Sequence, residues 1–374
     1  MIIGIDASSV ARSERSGVAV SVVNMLDALA QIDRENEYLV CYRLSRLKHR
    51  QHIYCPQADN FRVKIIHAPF FFPRKADVFH GNSRLPSCVK IPATVRVHDI
   101  FPVMRNDLDT AKFREKRCRR YEYIARHATR IVASSQSVAR DVVQALGVAP
   151  ERIVVNQHGV SDAFHPRAAD EIDRVTQKHG ILLPYCLMVA AFSKRKNVRR
   201  VLEAYAALKE ERKLESTLVL VGSLEHWVDG QEILERLDPS DPVVLTGYVP
   251  DEDLPALYSG ARMFLFPSLC EGFGLPILES MACGTPVITS NVSSMPEVAG
   301  DAGLLVEPLS VDDIKEKMAQ LDANAELRRQ LSEKGLQRAK FFTWERSARE
   351  LLELWQDIAG NGVHADTCLS RTPG

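Results

Sequence analysis

Short runs of β-branched and apolar residues alternate along this chain with stretches of helical spacing, and the series begins twice. IIGID (2–6) is followed by a Ser/Gly loop and then by VAVSVVNMLDALAQI, whose apolar positions recur at helical intervals. Further strands are expected at EYLVCYR, FRVKIIH, DVFHG, ATVRVHD and TRIVASS, with helices over 107–128 and 137–146. After the irregular stretch NQHGVSDAFHPRAAD (156–170), strands return at YCLMVAAF, STLVLVG, PVVLTG, RMFLFP and TPVITS, again with helices between them. This alternation makes a parallel sheet with helices on both faces. Two such doubly wound sheets on a short linker face each other across a cleft, and ligands of such sheets bind beyond the carboxyl ends of the strands. The boundaries read as 1–165, 166–342, a terminal helix over 343–360 that crosses back to the first domain, and a disordered tail over 361–374.

A length of 374 residues exceeds what one core of usual size holds. No run of about 18 apolar residues occurs and MIIGIDASSV lacks the basic start of a signal peptide, so a cytoplasmic protein is expected. Eight cysteines stand without a C-x-x-C pair, which signals neither a disulfide framework nor a zinc site. The net charge of zero hides an asymmetry: residues 1–165 carry 25 basic and 16 acidic side chains, whereas the remainder carries 23 and 32. A basic half can meet nucleic acid, an anionic membrane surface or a phosphorylated substrate. Neither a helix-turn-helix spacing nor an aromatic RNA-binding motif is present, which sets nucleic acid aside. RLSRLKHR (43–50), KFREKRCRR (112–120) and PFFFPRK (69–75) together suit reversible contact with an anionic bilayer or a lipid-diphosphate acceptor, while the three phenylalanines fit a core equally well.

One stretch carries the chemistry. PSLCEGFGLPILESMACG (267–284) sets Glu271 and Glu279 on either side of a Gly-Phe-Gly turn in otherwise apolar surroundings, with no partner nearby in sequence. Pro276 marks the first turn of a helix and Gly284 its end, so a helix N-terminus suited to phosphate follows the strand RMFLFP. Glu279, one turn in, can accept from a ribose diol and Glu271 from sugar hydroxyls; a capping carboxylate and a surface loop residue are the plainer readings. In SKRKN (193–197), Arg195 and Lys196 lie between a strand and a helix, where they can neutralise a diphosphate or form a solvated basic loop. His98 ends the strand ATVRV and faces either a crevice or the core. Glu297, after Ser294 and Pro296, fits a capping box.

The run SGARMFLFPSLCEGFGLPILESMACGTPVITSNVSSMPEVAGDAGLLVEP (259–308) closely resembles the carboxyl domain of retaining GT-B glycosyltransferases, a family with an E-x7-E signature that falls here on Glu271 and Glu279. The resemblance continues through GIDASSV, VRVHDIFP, ASSQSVARDVV, GVAPERIVVNQHGV, MVAAFSKRKNVRRVLEAY and LTGYVPDEDLPALY, in order and over nearly the whole chain. It implies a GT-B fold of two Rossmann-like domains and a retaining hexosyl transfer from a nucleotide diphosphate sugar by a front-face route. Within it Glu279 takes the ribose, Glu271 contacts the transferred sugar, and Gly272, Phe273, Gly274 and Leu275 offer main-chain N–H groups. Arg195 and Lys196 hold the diphosphate, His98 contacts the donor sugar, Gly17 belongs to a glycine loop near the substrates, and Val249 and Asp251 lie near the nucleobase. Many relatives place an arginine five residues before the lysine, where this chain has Ala191. No DxD or other metal-spaced cluster appears, so no metal or other cofactor is expected. Mannosyl transfer from GDP-mannose to a lipid-linked or polysaccharide acceptor is the reading the resemblance favours. A UDP-sugar donor, a same-fold epimerase and a non-enzymatic sugar-nucleotide sensor are the alternatives.

Overall fold

In the computed structural model the described residues are 1–12, 16–67, 75–105, 107–108, 110–190, 193–222, 231–235 and 243–360. Ala191, the apolar loop 69–74 and the tail 361–374 lie outside them. The chain forms two compact units, one made of Met1–His158 with the segment from Trp344 onward, the other of Gly159–Thr343. The change of unit thus comes earlier than the expected boundary at 165. The cause is local: Val160 donates its N–H to the Phe342 carbonyl at 2.9 Å and pairs in parallel with Thr343, so this stretch belongs to the second unit.

The first unit holds β1 (Ile2–Asp6), β2 (Glu37–Arg43), β3 (Phe61–Ile66), β4 (Val78–Asn82), β5 (Ala93–Val97), β6 (Arg130–Ala133) and β7 (Ile153–Val155). They pair in parallel in the order β3-β2-β1-β4-β5-β6-β7. β4 and β5 are buried throughout, as parallel strands covered on both faces must be. In the Trp344–Gly360 helix, Trp344, Ala348, Leu351, Trp355 and Ile358 repeat at helical spacing and are buried; it packs on the Gly17–Ile32 helix and on β4. Trp355 anchors it further by donating its indole N–H to Thr94 at 3.0 Å.

The second unit holds β8 (Tyr185–Val189), β9 (Thr217–Val221), β10 (Val243–Gly247), β11 (Met263–Phe266), β12 (Val287–Ser290) and β13 (Gly303–Val306), parallel in the order β10-β9-β8-β11-β12-β13. The order reverses between β8 and β11, and in the first sheet between β1 and β4. At such a reversal the loops leaving two neighbouring strands turn to opposite sides and open a crevice. Among the described residues no helix is long and apolar enough to cross a membrane.

Candidate functional site

The reversal in the second sheet decides which loops meet. β8 and β11 pair through Met263 with Cys186 and Phe264 with Leu187, so the loop after β8 runs beside the loop after β11. Two ties lock them together. Leu269 donates its N–H to the Arg195 carbonyl at 2.8 Å, and buried Asn197 donates its side-chain amide to the carbonyls of Pro267 at 2.9 Å and Pro308 at 2.7 Å. Asn197 sits in the left-handed region with φ 62°, a conformation that asparagine tolerates better than most residues.

These ties bring Lys196, Arg195 and Glu271 into direct contact. Lys196 Nζ donates to Glu271 Oε1 at 2.7 Å and lies 4.5 Å over the Phe266 ring; Arg195 Nη1 stands 2.5 Å from Glu271 Oε2 and donates to the Cys270 carbonyl at 2.9 Å. Burial alone would raise the Glu271 pKa, but the two cations and their hydrogen bonds outweigh it and hold the group at about 2. Burial lowers the Lys196 pKa, opposed by the attraction of Glu271. The sequence places no partner near Glu271, and the fold supplies two. Its partners come from a loop 75 residues upstream that only the strand order brings near.

Past Glu271, Gly274 caps the helix Leu275–Ala282 with φ 110°, a conformation that favours glycine, and a Cβ there would crowd Ile277 Cδ1 at 3.0 Å. Pro276 lies in the first turn and no side chain caps it. Ser293 and Ser294 hold the approach from behind: Ser293 Oγ accepts from the Glu271 N–H at 3.2 Å, and Ser294 Oγ donates to the carbonyls of Glu271 at 2.9 Å and Phe273 at 2.8 Å. Ser294 is thereby spent on the loop instead of a capping box with Glu297. Sequence alone gave Ser293 and Asn197 no role and read Ser294 as a cap; serine and asparagine at loop ends were the available signal.

Glu279 also has a partner in the chain, the hydroxyl of buried Tyr258, which donates to its Oε2 at 3.0 Å. Burial raises the Glu279 pKa to about 7; the Tyr258 hydrogen bond and Lys196 oppose the rise and the Asp251 charge adds to it. Asp251 itself is exposed in the turn after β10. Val249, in the same turn, is only 2% exposed and packs in the core, so its side chain is not open to a ligand. Phe273 is likewise in the core, with its ring centroid 6.0 Å from that of Phe342, consistent with a main-chain role alone.

His98 and Gly17 belong to the first unit. His98 follows β5 directly, and its ring stacks on that of His158 at 5.4 Å between centroids. Burial, then the charges of Arg96 and Arg117, lower its pKa to about 3, so the imidazole is neutral. Its Nε2 is buried without a hydrogen-bond partner. Beneath it, buried Arg96 donates to the Asn156 carbonyl at 2.9 Å, and Asn156 donates to Ser347 and Glu350 of the terminal helix. Gly17 opens the Gly17–Ile32 helix behind Ser16, and among the described residues beyond its chain neighbours and its own helix backbone no atom lies within 4 Å of the place a Cβ would take. Packing does not require the glycine.

Comparison with known proteins gives this arrangement a family. The model described as "Glycosyl transferases group 1" matches residues 172–338, and "Glycosyltransferase Family 4" matches 15–164. The O-antigen chain mannosyltransferase B of Escherichia coli is 33% identical over 79% of this chain and 75% of its own length. The chain belongs to the group 1 glycosyltransferases. Another relative of this transferase, the serotype-specific mannosyltransferase WbdA of Escherichia coli, is 30% identical over 79% of this chain but only 37% of its own length. Among solved structures, sucrose-phosphate synthase from Thermosynechococcus elongatus superposes with a TM-score of 0.75 over 96% of this chain and 99% of that one, at 18% identity. The transferase thus has the GT-B fold of two Rossmann-like domains. Among its described residues no cluster of three or more His, Cys, Asp or Glu is placed to hold a metal ion.

Proposed function

We propose that this transferase is a retaining mannosyltransferase that moves mannose from GDP-mannose to a hydroxyl of a lipid-linked or polysaccharide acceptor. The observation that carries the reading is the shared grip of Lys196 and Arg195 on Glu271 beside the open start of the Leu275–Ala282 helix. Two cations and a helix N-terminus are a site for the two phosphates of a nucleotide sugar, and no metal has a part in the reading. Mannose and the acceptor class are supported by the names of the relatives.

As the sugar C1–O bond breaks, its electron pair passes to the diphosphate oxygen, where Lys196 and Arg195 offset the growing negative charge. The acceptor hydroxyl oxygen bonds to C1 on the face the diphosphate leaves, and its proton goes to the departing phosphate oxygen. Glu279, ionised, accepts from the ribose hydroxyls, and Glu271 accepts from hydroxyls of the transferred sugar. For the first unit we assign His98 a neutral sugar-binding role through Nε2.

A thermal-shift series against GDP, UDP and their sugars tests the donor, since a ligand at 100 times its Kd adds about 2.7 kcal/mol. GDP-mannose is expected to give the largest shift, with turnover unchanged by EDTA. Anomeric proton coupling in the product distinguishes retention from inversion. A shift from UDP-sugars alone, or an inverted product, would overturn the corresponding part.

A further inference from the structure

A cavity of about 830 Å³ opens at the carboxyl end of the first sheet, and none of the residues assigned to the donor lines it. Asp6, Arg43 and Ile66, the last residues of β1, β2 and β3, line it, as does Arg84 two residues past β4. It therefore sits where the strand order of that sheet reverses. The Ala111–His127 helix closes one side with Lys116, Arg119 and Arg120.

Charge in this cavity is unbalanced. Asp6 is the one carboxylate among its lining residues, and Arg119 is taken by Glu115 at 2.6 Å. Arg43, Arg84, Lys116 and Arg120 form no ion pair among the described residues. The Nε atoms of Arg43 and of neighbouring Arg46 are buried without a hydrogen-bond partner. Burial, then repulsion from Arg43 and Arg120, push the Arg84 pKa down to about 10. Burial and then like charges also lower the pKa of Arg46 and Arg120. Cations held together this way lose stability until an anion joins them, and guanidinium forks match the oxygens of a phosphate. Much of the remaining wall is apolar, through Leu44, Ile66, Leu85, Pro86 and Tyr123, with Ser45, His67 and Ser87 among them. Inorganic phosphate or a sugar phosphate would leave that wall wet.

We propose that this cavity binds the phosphate or diphosphate of an ester whose other end is an apolar chain, and so takes the anionic part of the acceptor. Only the word acceptor rests on the transferase reading; the ligand chemistry rests on the cavity.

The test uses the full chain saturated with GDP, and in a parallel set with UDP, so that the donor cradle is filled. Calorimetry then measures binding of decyl diphosphate below its micelle concentration, inorganic diphosphate, decyl glucoside, and phosphatidylglycerol vesicles. Decyl diphosphate is expected to bind at least tenfold more tightly than inorganic diphosphate, and decyl glucoside not to bind. The double variant Arg84→Gln/Arg120→Gln is expected to lose at least tenfold in decyl diphosphate affinity, with a ligand-free melting temperature equal to or above that of the parent. Should that variant fail to fold, Lys116→Gln, a change at an exposed position, is expected to lose about twofold to threefold. Unchanged affinity in the folded variants, equal binding of decyl glucoside, loss of binding in Lys196→Ala instead, or binding to vesicles alone each overturns the proposal. Nucleotide thermal shifts on the same samples keep the two readings apart. Nucleotide binding without decyl diphosphate binding sinks the cavity assignment only, and the converse sinks the donor assignment only.

Discussion

At the carboxyl end of the second sheet, Lys196 and Arg195 share the carboxylate of Glu271, whereas at the same end of the first sheet Arg43, Arg84, Lys116 and Arg120 surround Asp6 without an ion pair among the described residues. Both sheets are parallel and both reverse their strand order at this point. What differs is where the compensating anion comes from. In the second unit a glutamate of the chain holds the place, and in the proposed donor pose a diphosphate competes for cations already paired. In the first unit no glutamate among the described residues holds that place, Asp6 only partly offsets the cations, and repulsion among guanidinium groups remains.

Removing the internal anion is the sharpest way to break this contrast. Glu271→Ala leaves two cations uncompensated in a site where Glu271 and Lys196 are only 11% and 12% exposed. Deleting one member of a buried pair costs about 3–5 kcal/mol, which urea unfolding at neutral pH would register. Nucleoside diphosphate is expected to restore much of that loss if it binds the same cations. A loss below about 1 kcal/mol would mean that Glu271 is not what neutralises them. Lys196→Ala is the converse change and is expected to destabilise less, because Arg195 still pairs with Glu271. Its effect falls on turnover, which should drop about 10²–10³-fold, as when one donor to a developing oxyanion is removed. Wild-type steady-state rates in that variant would refute its role toward the leaving group.

How much of this the sequence disclosed follows from how local each feature is. The buried strands were legible because parallel strands covered on both faces must be apolar runs. β7 and β13 were not, since each is an edge strand of three or four mostly half-exposed residues whose pattern is too short to register. RLSRLKHR stood out only as charge, yet it falls in the tight helical segment Leu44–His52, broken at His49, whose first residue lines the cationic cavity. The two glutamates were visible as misplaced charges. Their partners were not, because Lys196 is 75 residues and Tyr258 is 21 residues away, and only the reversal between β8 and β11 and the packing of neighbouring helices bring them in. Val249 looked like a turn residue after a strand and proved to be core, a distinction that depends on which way one side chain points.

The smallest expected effect is on pH dependence, and here the two units should run in opposite directions. Glu279 has a pKa of about 7 in the fold against an ordinary 4.5, so between those values the folded chain holds a proton that the unfolded chain has released. The stability it contributes to the second unit therefore falls as pH rises from about 4.5 to about 7. His98 titrates at about 3 against an ordinary 6.5, so the unfolded chain takes up a proton first and the first unit loses stability as pH falls below about 6.5. The proposed donor pose sharpens the contrast, because ribose hydroxyls donating to Glu279 would favour its ionised form. As that form grows from about a tenth to about nine tenths between pH 6 and pH 8, nucleotide affinity should rise about tenfold. Titration calorimetry across that range measures the slope, and Glu279→Gln is expected to flatten it. A variant that keeps the wild-type slope would move the titrating group elsewhere and free Glu279 from the ribose.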